Sequence, residues 1–215
     1  MKSVEEIGRE KEILNEYLFT YICRMARPRD ENKIEAIYEA TLKLVLETGF
    51  NGLKMADVAT EAKLATGTLY IYFKNKEVLI NELYFHLKKN KTMKILEVFD
   101  AKDSFSVAFK KLWMNYLNIS LAEPERMKFI EQFTHTSYLT KKTKQHGDQL
   151  LKPLEDFLKG GIKQGLVKKL PVQLLLSQLM GPINESVKLH YDETLKITPS
   201  LKEELFRMAW NSIKI

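Results

Sequence analysis

An all-α fold is predicted for this chain, and two observations predict it. Along most of the 215 residues, apolar side chains recur at spacings of three and four, the period of a helix with one buried face. Six prolines and nine glycines are also too few for an all-β chain, which needs frequent turns. At 45% apolar and 29% charged residues, the chain can bury a proper core and does not have the composition of a disordered one. No run approaches the roughly 18 apolar residues of a membrane span; Leu174 to Met180 is the longest candidate, and Ser177 and Gln178 interrupt it. The start, Met1-Lys2-Ser3-Val4-Glu5-Glu6, does not read as a secretory signal. A single cysteine, Cys23, excludes a disulfide framework within one chain and a thiolate zinc cluster. A soluble, cytoplasmic protein is expected.

The elements follow in order. Residues 4–26 read as an amphipathic helix with Ile7, Leu14, Leu18, Tyr21, Ile22 and Met25 on one stripe, broken at Arg27-Pro28 because a proline disfavours helix at the residue before it. Met25 is also a plausible start, which would make residues 1–24 an appendage. A second helix is expected from Asn32 to Glu47, closed by Gly49. Two short pieces follow, Met55–Ala62 and Ala65–Phe73, separated by Lys63-Leu64. Asn75 then caps a long helix from Lys76 to about Phe99. Helices of about two turns do not hold alone, so these two pieces must be packed by their flanks, as in a helix-turn-helix unit. Longer helices are expected over 104–121, 124–136, 143–164, 171–191 and 199–213, with Pro124, Pro171 and Pro199 near three of the starts.

Net charge is +6, and its distribution is more informative than its size. Between Lys63 and Lys94 seven lysines face two acids, Glu77 and Glu82, whereas residues 1–50 carry a net −2. A local basic excess is the footprint of a nucleic-acid partner, although Lys88, Lys89, Lys91 and Lys94 taken alone read as a solvated helix face. In the short pieces, Met55, Val58, Ala59 and Ala62 form one apolar stripe, and Leu64, Leu69 and Phe73 face it. Thr66, Gly67, Thr68, Tyr70 and Tyr72 are left near the outer face. Threonine and tyrosine can reach base edges or phosphates, and a glycine permits close backbone approach. Lys74 and Lys76 follow as candidate phosphate clamps. Tyr70 and Tyr72 also suit half-buried core positions.

The stretch from about Lys33 to Lys91 resembles the DNA-binding domain of the tetracycline-repressor (TetR) family. The resemblance rests on Gly49-Phe50, Asp57-Val58-Ala59, Gly67-Thr68-Leu69-Tyr70-Ile71-Tyr72-Phe73 and Lys76-Glu77 at their mutual distances. It implies an all-α homodimer with an N-terminal helix-turn-helix DNA-binding domain and a C-terminal helical-bundle domain for ligand binding and dimerisation. Residue by residue, it implies base or phosphate contacts for Thr66, Thr68 and Tyr70, phosphate contacts for Tyr72 and Lys76, and backbone close to DNA at Gly67. Ile71 would offer a thymine methyl an apolar contact. The sequence departs from the family pattern at three places. Leu53-Lys54 stands where the first short helix usually has a Ser or Thr cap, though Lys54 can reach phosphate itself. Lys63 stands at the turn glycine, and Ala65 at the capping serine of the second helix.

The remainder holds no catalytic constellation. His86, His135, His146 and His190 lie on different expected elements without metal-ligand spacing, and Gly160, Gly161 and Gly165 read as helix-end glycines. No cofactor and no metal are expected. Aromatic and methionine residues are plentiful, and Trp113, Tyr116, Phe129, Phe133, Met180 and Asn184 are the candidates for lining a pocket that takes a small lipophilic effector. Leu174, Leu175, Leu179, Ile183 and Val187, with Leu205, Phe206 and Ala209, suit helices that pair two subunits. The expected organisation is an N-terminal extension over 1–30, a DNA-binding domain over 31–91 with the helix-turn-helix at about 54–73, and an effector and dimerisation domain over 92–215. The expected function is a transcriptional repressor on a pseudo-palindromic double-stranded operator, released by its effector. The alternative is a helical-bundle enzyme or lipid-carrying protein with a basic surface.

Overall fold

In a computed structural model of the chain, residues 30–215 are described; the helix expected over 4–26, the break after it and Cys23 lie outside the described residues. The chain divides into two compact units, 1–36 and 37–215. In the first, Asp30 stands before the opening turn of helix α1 (Glu31–Gly52), and its carboxylate lies 3.3 Å from the Lys33 ammonium.

The second unit is helical almost throughout. Gly49 interrupts α1 with φ 73° and ψ 168°, a left-handed value that a glycine adopts without strain, and the chain turns there before one last helical turn. The two short pieces are α2 (Met55–Glu61) and α3 (Thr66–Tyr72), packed against each other. The long helix α4 (Lys76–Leu96) starts where Asn75 caps it, its side chain accepting from the Val78 N–H at 2.9 Å. Then come α5 (Phe105–Ala122), α6 (Pro124–Thr134), α7 (Lys141–Gln149), α8 (Lys152–Lys163), α9 (Val172–Tyr191) and α10 (Pro199–Ile213).

Several boundaries differ from the sequence expectation; α1, for one, runs on past Glu47 to Gly52. The long helix ends at Leu96 rather than Phe99. The single helix expected over 143–164 is two, α7 and α8, parted at Leu150-Leu151. Pro153 is the reason, because it has no N–H for the Gln149 carbonyl four residues back, its ring crowds that carbonyl, and it suits the first turn of a new helix.

Helix α4 packs against α5, α6 and α7, and so joins the short helices to the bundle. Helix α9 packs against α5, α6, α8 and α10, with Leu175, Leu179, Ile183 and Val187 buried. These residues, and Ala209 of α10, were expected on a subunit-pairing face; they belong instead to the core of their own chain. Leu205 and Phe206 are half-buried against the same core. Only Leu174 of that set is widely exposed. Gly161 lets α8 close on this core: a Cβ there would lie 2.4 Å from the Phe105 ring and 2.9 Å from Val167. Among the described residues no helix is long and apolar enough to cross a membrane.

Candidate DNA-binding surface and effector cavity

The helix-turn-helix is built from its apolar side inwards. Val58, Ala59, Leu69 and Phe73 are essentially fully buried, with Leu53 and Met55 beside them. Ala59 is small enough to let α2 and α3 cross closely. The turn between them is set by Lys63, whose φ of 56° is the left-handed value that the sequence departure at this position required. Its N–H donates to the Thr60 carbonyl at 3.0 Å, and the Leu64 N–H to that of Ala59 at 2.8 Å. A lysine held there costs up to about 1 kcal/mol relative to glycine. Neither short helix has a side-chain cap, since Lys54 and Ala65 stand at the capping positions.

Burying Leu69 and Phe73 turns the other face of α3 to solvent. Thr66 and Gly67 are exposed, Thr68 and Tyr72 are half-buried, Tyr70 is 50% exposed, and Ile71 is 80% exposed. An isoleucine so exposed beside a tyrosine is an apolar patch on a helix only two turns long. Nothing lies within 4 Å of where a Cβ on Gly67 would stand, so neither the backbone nor the packing of the chain requires a glycine there. Lys54, Lys63 and Lys74 are exposed around this face.

Lys76 is placed differently. Its ammonium donates to the carbonyls of Phe50 at 3.1 Å and Asn51 at 3.3 Å, and it lies 5.3 Å from the centre of the Tyr138 ring. It closes the last turn of α1 with two of its three donors and leaves one for an outside acceptor. The loop over 135–140 is sewn to the same place. Tyr138 donates its hydroxyl to Asn51 Oδ1 at 3.0 Å, while buried Asn81 donates to the Tyr138 carbonyl at 2.8 Å and accepts from the Thr140 N–H at 3.1 Å. Arg126 of α6 pairs with Glu39 of α1. The bundle thus grips the end of α1 and the start of α4.

The basic excess over Lys63 to Lys94 divides on folding. Lys63 and Lys74 border the α3 face, but Lys88 and Lys91 are buried, at 9% and 7% exposure, and are not part of a solvated helix face. Their spacing shows why: Tyr84, Lys88, Lys91 and Ile95 follow one another at four, three and four residues, so one side of α4 carries all four into the bundle. Lys88 lies 3.4 Å from Asp148 and donates to the Tyr84 hydroxyl at 3.3 Å. Lys91 has no acidic partner among the described residues. Its ammonium lies 5.5 Å from the centre of the Tyr116 ring, and burial, with the neighbouring Lys88 charge, lowers its pKa to about 8.

Further along α4 the bundle holds a part-open cavity of about 60 Å³, walled by Ile95, Phe109, Leu112, Trp113, Tyr116 and Met180, with leucines and Phe157 from α8 and α9. Three of the six expected pocket residues, Trp113, Tyr116 and Met180, line it. Asn184 adjoins it by accepting the Tyr116 hydroxyl hydrogen at 2.6 Å, and burial raises that phenol well above its ordinary pKa. The indole N–H of Trp113 is buried, with no acceptor among the described residues. Phe129 and Phe133 do not line the cavity. They are fully buried in a separate aromatic cluster with Phe50 and Tyr84, where α6 packs on α1 and α4. No cluster of three or more metal-ligating side chains occurs among the described residues.

Residues 37–83 match the family model of bacterial regulatory proteins of the tetR family, and residues 105–214 match a tetracyclin repressor-like C-terminal domain. A Haemophilus influenzae protein described as an uncharacterized HTH-type transcriptional regulator is 28% identical over 84% of this chain and 95% of its own. The fatty acid metabolism regulator protein of Bacillus subtilis is 27% identical over 72% of this chain and 81% of its own. The crystal structure of a TetR family transcription regulator from Marinobacter aquaeolei superposes with a TM-score of 0.81 at 27% identity, covering 86% of this chain and 97% of that one.

Proposed function

The chain belongs to the tetracycline-repressor family of helix-turn-helix transcriptional regulators, and on that premise we propose that it represses transcription from a pseudo-palindromic operator until a lipophilic effector releases it. The observation that carries the DNA reading is the outer face of α3, where Thr66, Gly67, Thr68, Tyr70 and Ile71 are turned away from the core and bordered by lysines. In this reading Thr66, Thr68 and Tyr70 meet bases or phosphates, and Ile71 meets a thymine methyl. Lys54, Tyr72 and the free donor of Lys76 meet phosphate, and Gly67 admits the DNA backbone. Two copies would pair through the exposed faces of α9 and α10, where Leu174 and Met208 are more than half exposed. Their two α3 helices would then enter successive major grooves about 34 Å apart. A regulator acting on DNA in this way would work in the cytoplasm.

The effector would occupy the cavity beside Ile95. Helix α4 follows α3 in the chain, with Lys76 at its start and Ile95, in the cavity wall, near its end. Shifting α4 would therefore change the separation of the two α3 helices, with a coupling of roughly 1–3 kcal/mol between effector and DNA. The Bacillus relative's description as a fatty acid metabolism regulator supports an effector of fatty-acyl character. The alternative of an enzyme or lipid carrier finds no support in the relatives, which are described as regulators. Fluorescence anisotropy on operator DNA with Tyr70→Ala and Ile71→Ala tests the reading. Each should weaken binding by about tenfold or more, roughly 1–3 kcal/mol, with an unchanged circular dichroism spectrum. Unchanged affinity in both would remove α3 as the reading helix.

A further inference from the structure

We propose that the effector is a lipophilic anion, with its chain in the apolar cavity of the bundle and its oxyanion head on the ammonium of Lys91. This rests on the effector reading above and names the chemistry of that same site. Lys91 is buried beside Tyr116, a cavity wall residue, and one turn from Ile95, another. It has no carboxylate partner among the described residues, although the neighbouring Lys88 has Asp148 and the Tyr84 hydroxyl. A buried ammonium without a counter-ion is a costly arrangement that an incoming anion relieves and an incoming cation worsens. The indole N–H of Trp113, a wall residue, is also buried with no acceptor among the described residues, and a neutral hydrocarbon cannot satisfy it. The phenol hydrogen of Tyr116 is already committed to Asn184, so the ring offers Lys91 its face and leaves the ammonium donors free for an oxyanion.

The rest of the wall is leucine, isoleucine, methionine and aromatic side chains, which fixes the other end of the ligand as apolar. The cavity of about 60 Å³ falls far short of the roughly 300–1,000 Å³ of a filled ligand site, so entry of a chain must part the helices around it. One of those helices is α4, which carries Lys91 and follows α3 in the chain. Filling the cavity and pairing Lys91 would then act on the same helix.

Titration of the purified protein with dodecanoate, dodecanoyl-CoA and 1-dodecanol, read by tryptophan fluorescence at pH 7, tests this. Two oxyanions of different source are thereby compared with a neutral chain of equal length. The expected result is that at least one of the anions binds about tenfold more tightly than the alcohol. Lys91→Met should abolish that preference while the alcohol still binds, and Lys91→Arg should retain it. Preference for dodecanoate would assign a carboxylate head, and preference for the thioester a phosphate head. Equal binding of alcohol and anions, or an anion preference unchanged in Lys91→Met, would overturn the proposal and leave the lipophilic effector standing. Binding of none of the three would overturn both.

Discussion

Gly67 separates the demands of folding from those of function at a single position. Its backbone is helical and the space beyond its Cα is open, so Gly67→Ala should fold normally and melt at the same or a slightly higher temperature, alanine being favoured in helices by up to about 1 kcal/mol. The added methyl would occupy the space through which DNA approaches, and operator affinity should fall by about tenfold. A thermal melt and an anisotropy titration on the same sample decide it. Lys91 makes a residue-scale prediction of the opposite kind. Its pKa of about 8 lies below the ordinary 10.5 of the unfolded chain. The folded state therefore sheds the proton first, and the burial cost is fully present below pH 8 and is relieved as pH rises towards 10.5. Lys91→Met should be more stable than the native chain at pH 7, by on the order of 3 kcal/mol. Urea denaturation at pH 7, 8.5 and 10 should show that advantage shrinking. A constant difference would mean that Lys91 is not a buried charge.

At the scale of elements, packing at α8 gives the clearest test. Gly161→Ala drives a methyl into the Phe105 ring and Val167, and should cost about 1–3 kcal/mol, read as a lowered melting temperature, with DNA affinity per folded molecule unchanged. Elements were also where sequence reasoning succeeded best. The 3- and 4-residue spacing of apolar side chains, the cap at Asn75 and the break at Gly49 are local signals, and the helices stand where those signals put them. The miss at Leu150-Leu151 was also local: Pro153 was visible, but the apolar pattern continues across it. The exposed face of α3 was legible because burying Leu69 and Phe73 leaves a seven-residue helix no choice of outer face. The cavity was less so. Phe129 and Phe133 have the same chemistry as true wall residues such as Phe109 and Phe157, and only the crossing of α6 over α1 and α4 decides that they fill a different cluster. Lys88 and Lys91 were read as part of a solvated face although their spacing with Tyr84 and Ile95 marks the buried side of α4. Composition suggests a solvated face for lysines, and periodicity overrules it.

For the molecule as a whole, the junction at Lys76 matters most. It binds the end of α1 through two carbonyls and lies over the Tyr138 ring, and in the proposed reading its third donor meets phosphate. Lys76→Ala should therefore weaken binding to operator and unrelated DNA alike and lower the salt slope by about 1. It should also loosen the junction through which the bundle would act on α3. The most direct measurement of the central claim is fluorescence anisotropy of the full chain on the DNA upstream of its own gene, titrated with salt against an unrelated duplex. The account predicts tight binding that prefers the upstream DNA and weakens steeply as salt rises, with affinity falling in Tyr70→Ala. Absence of binding to either duplex even at low salt would contradict it.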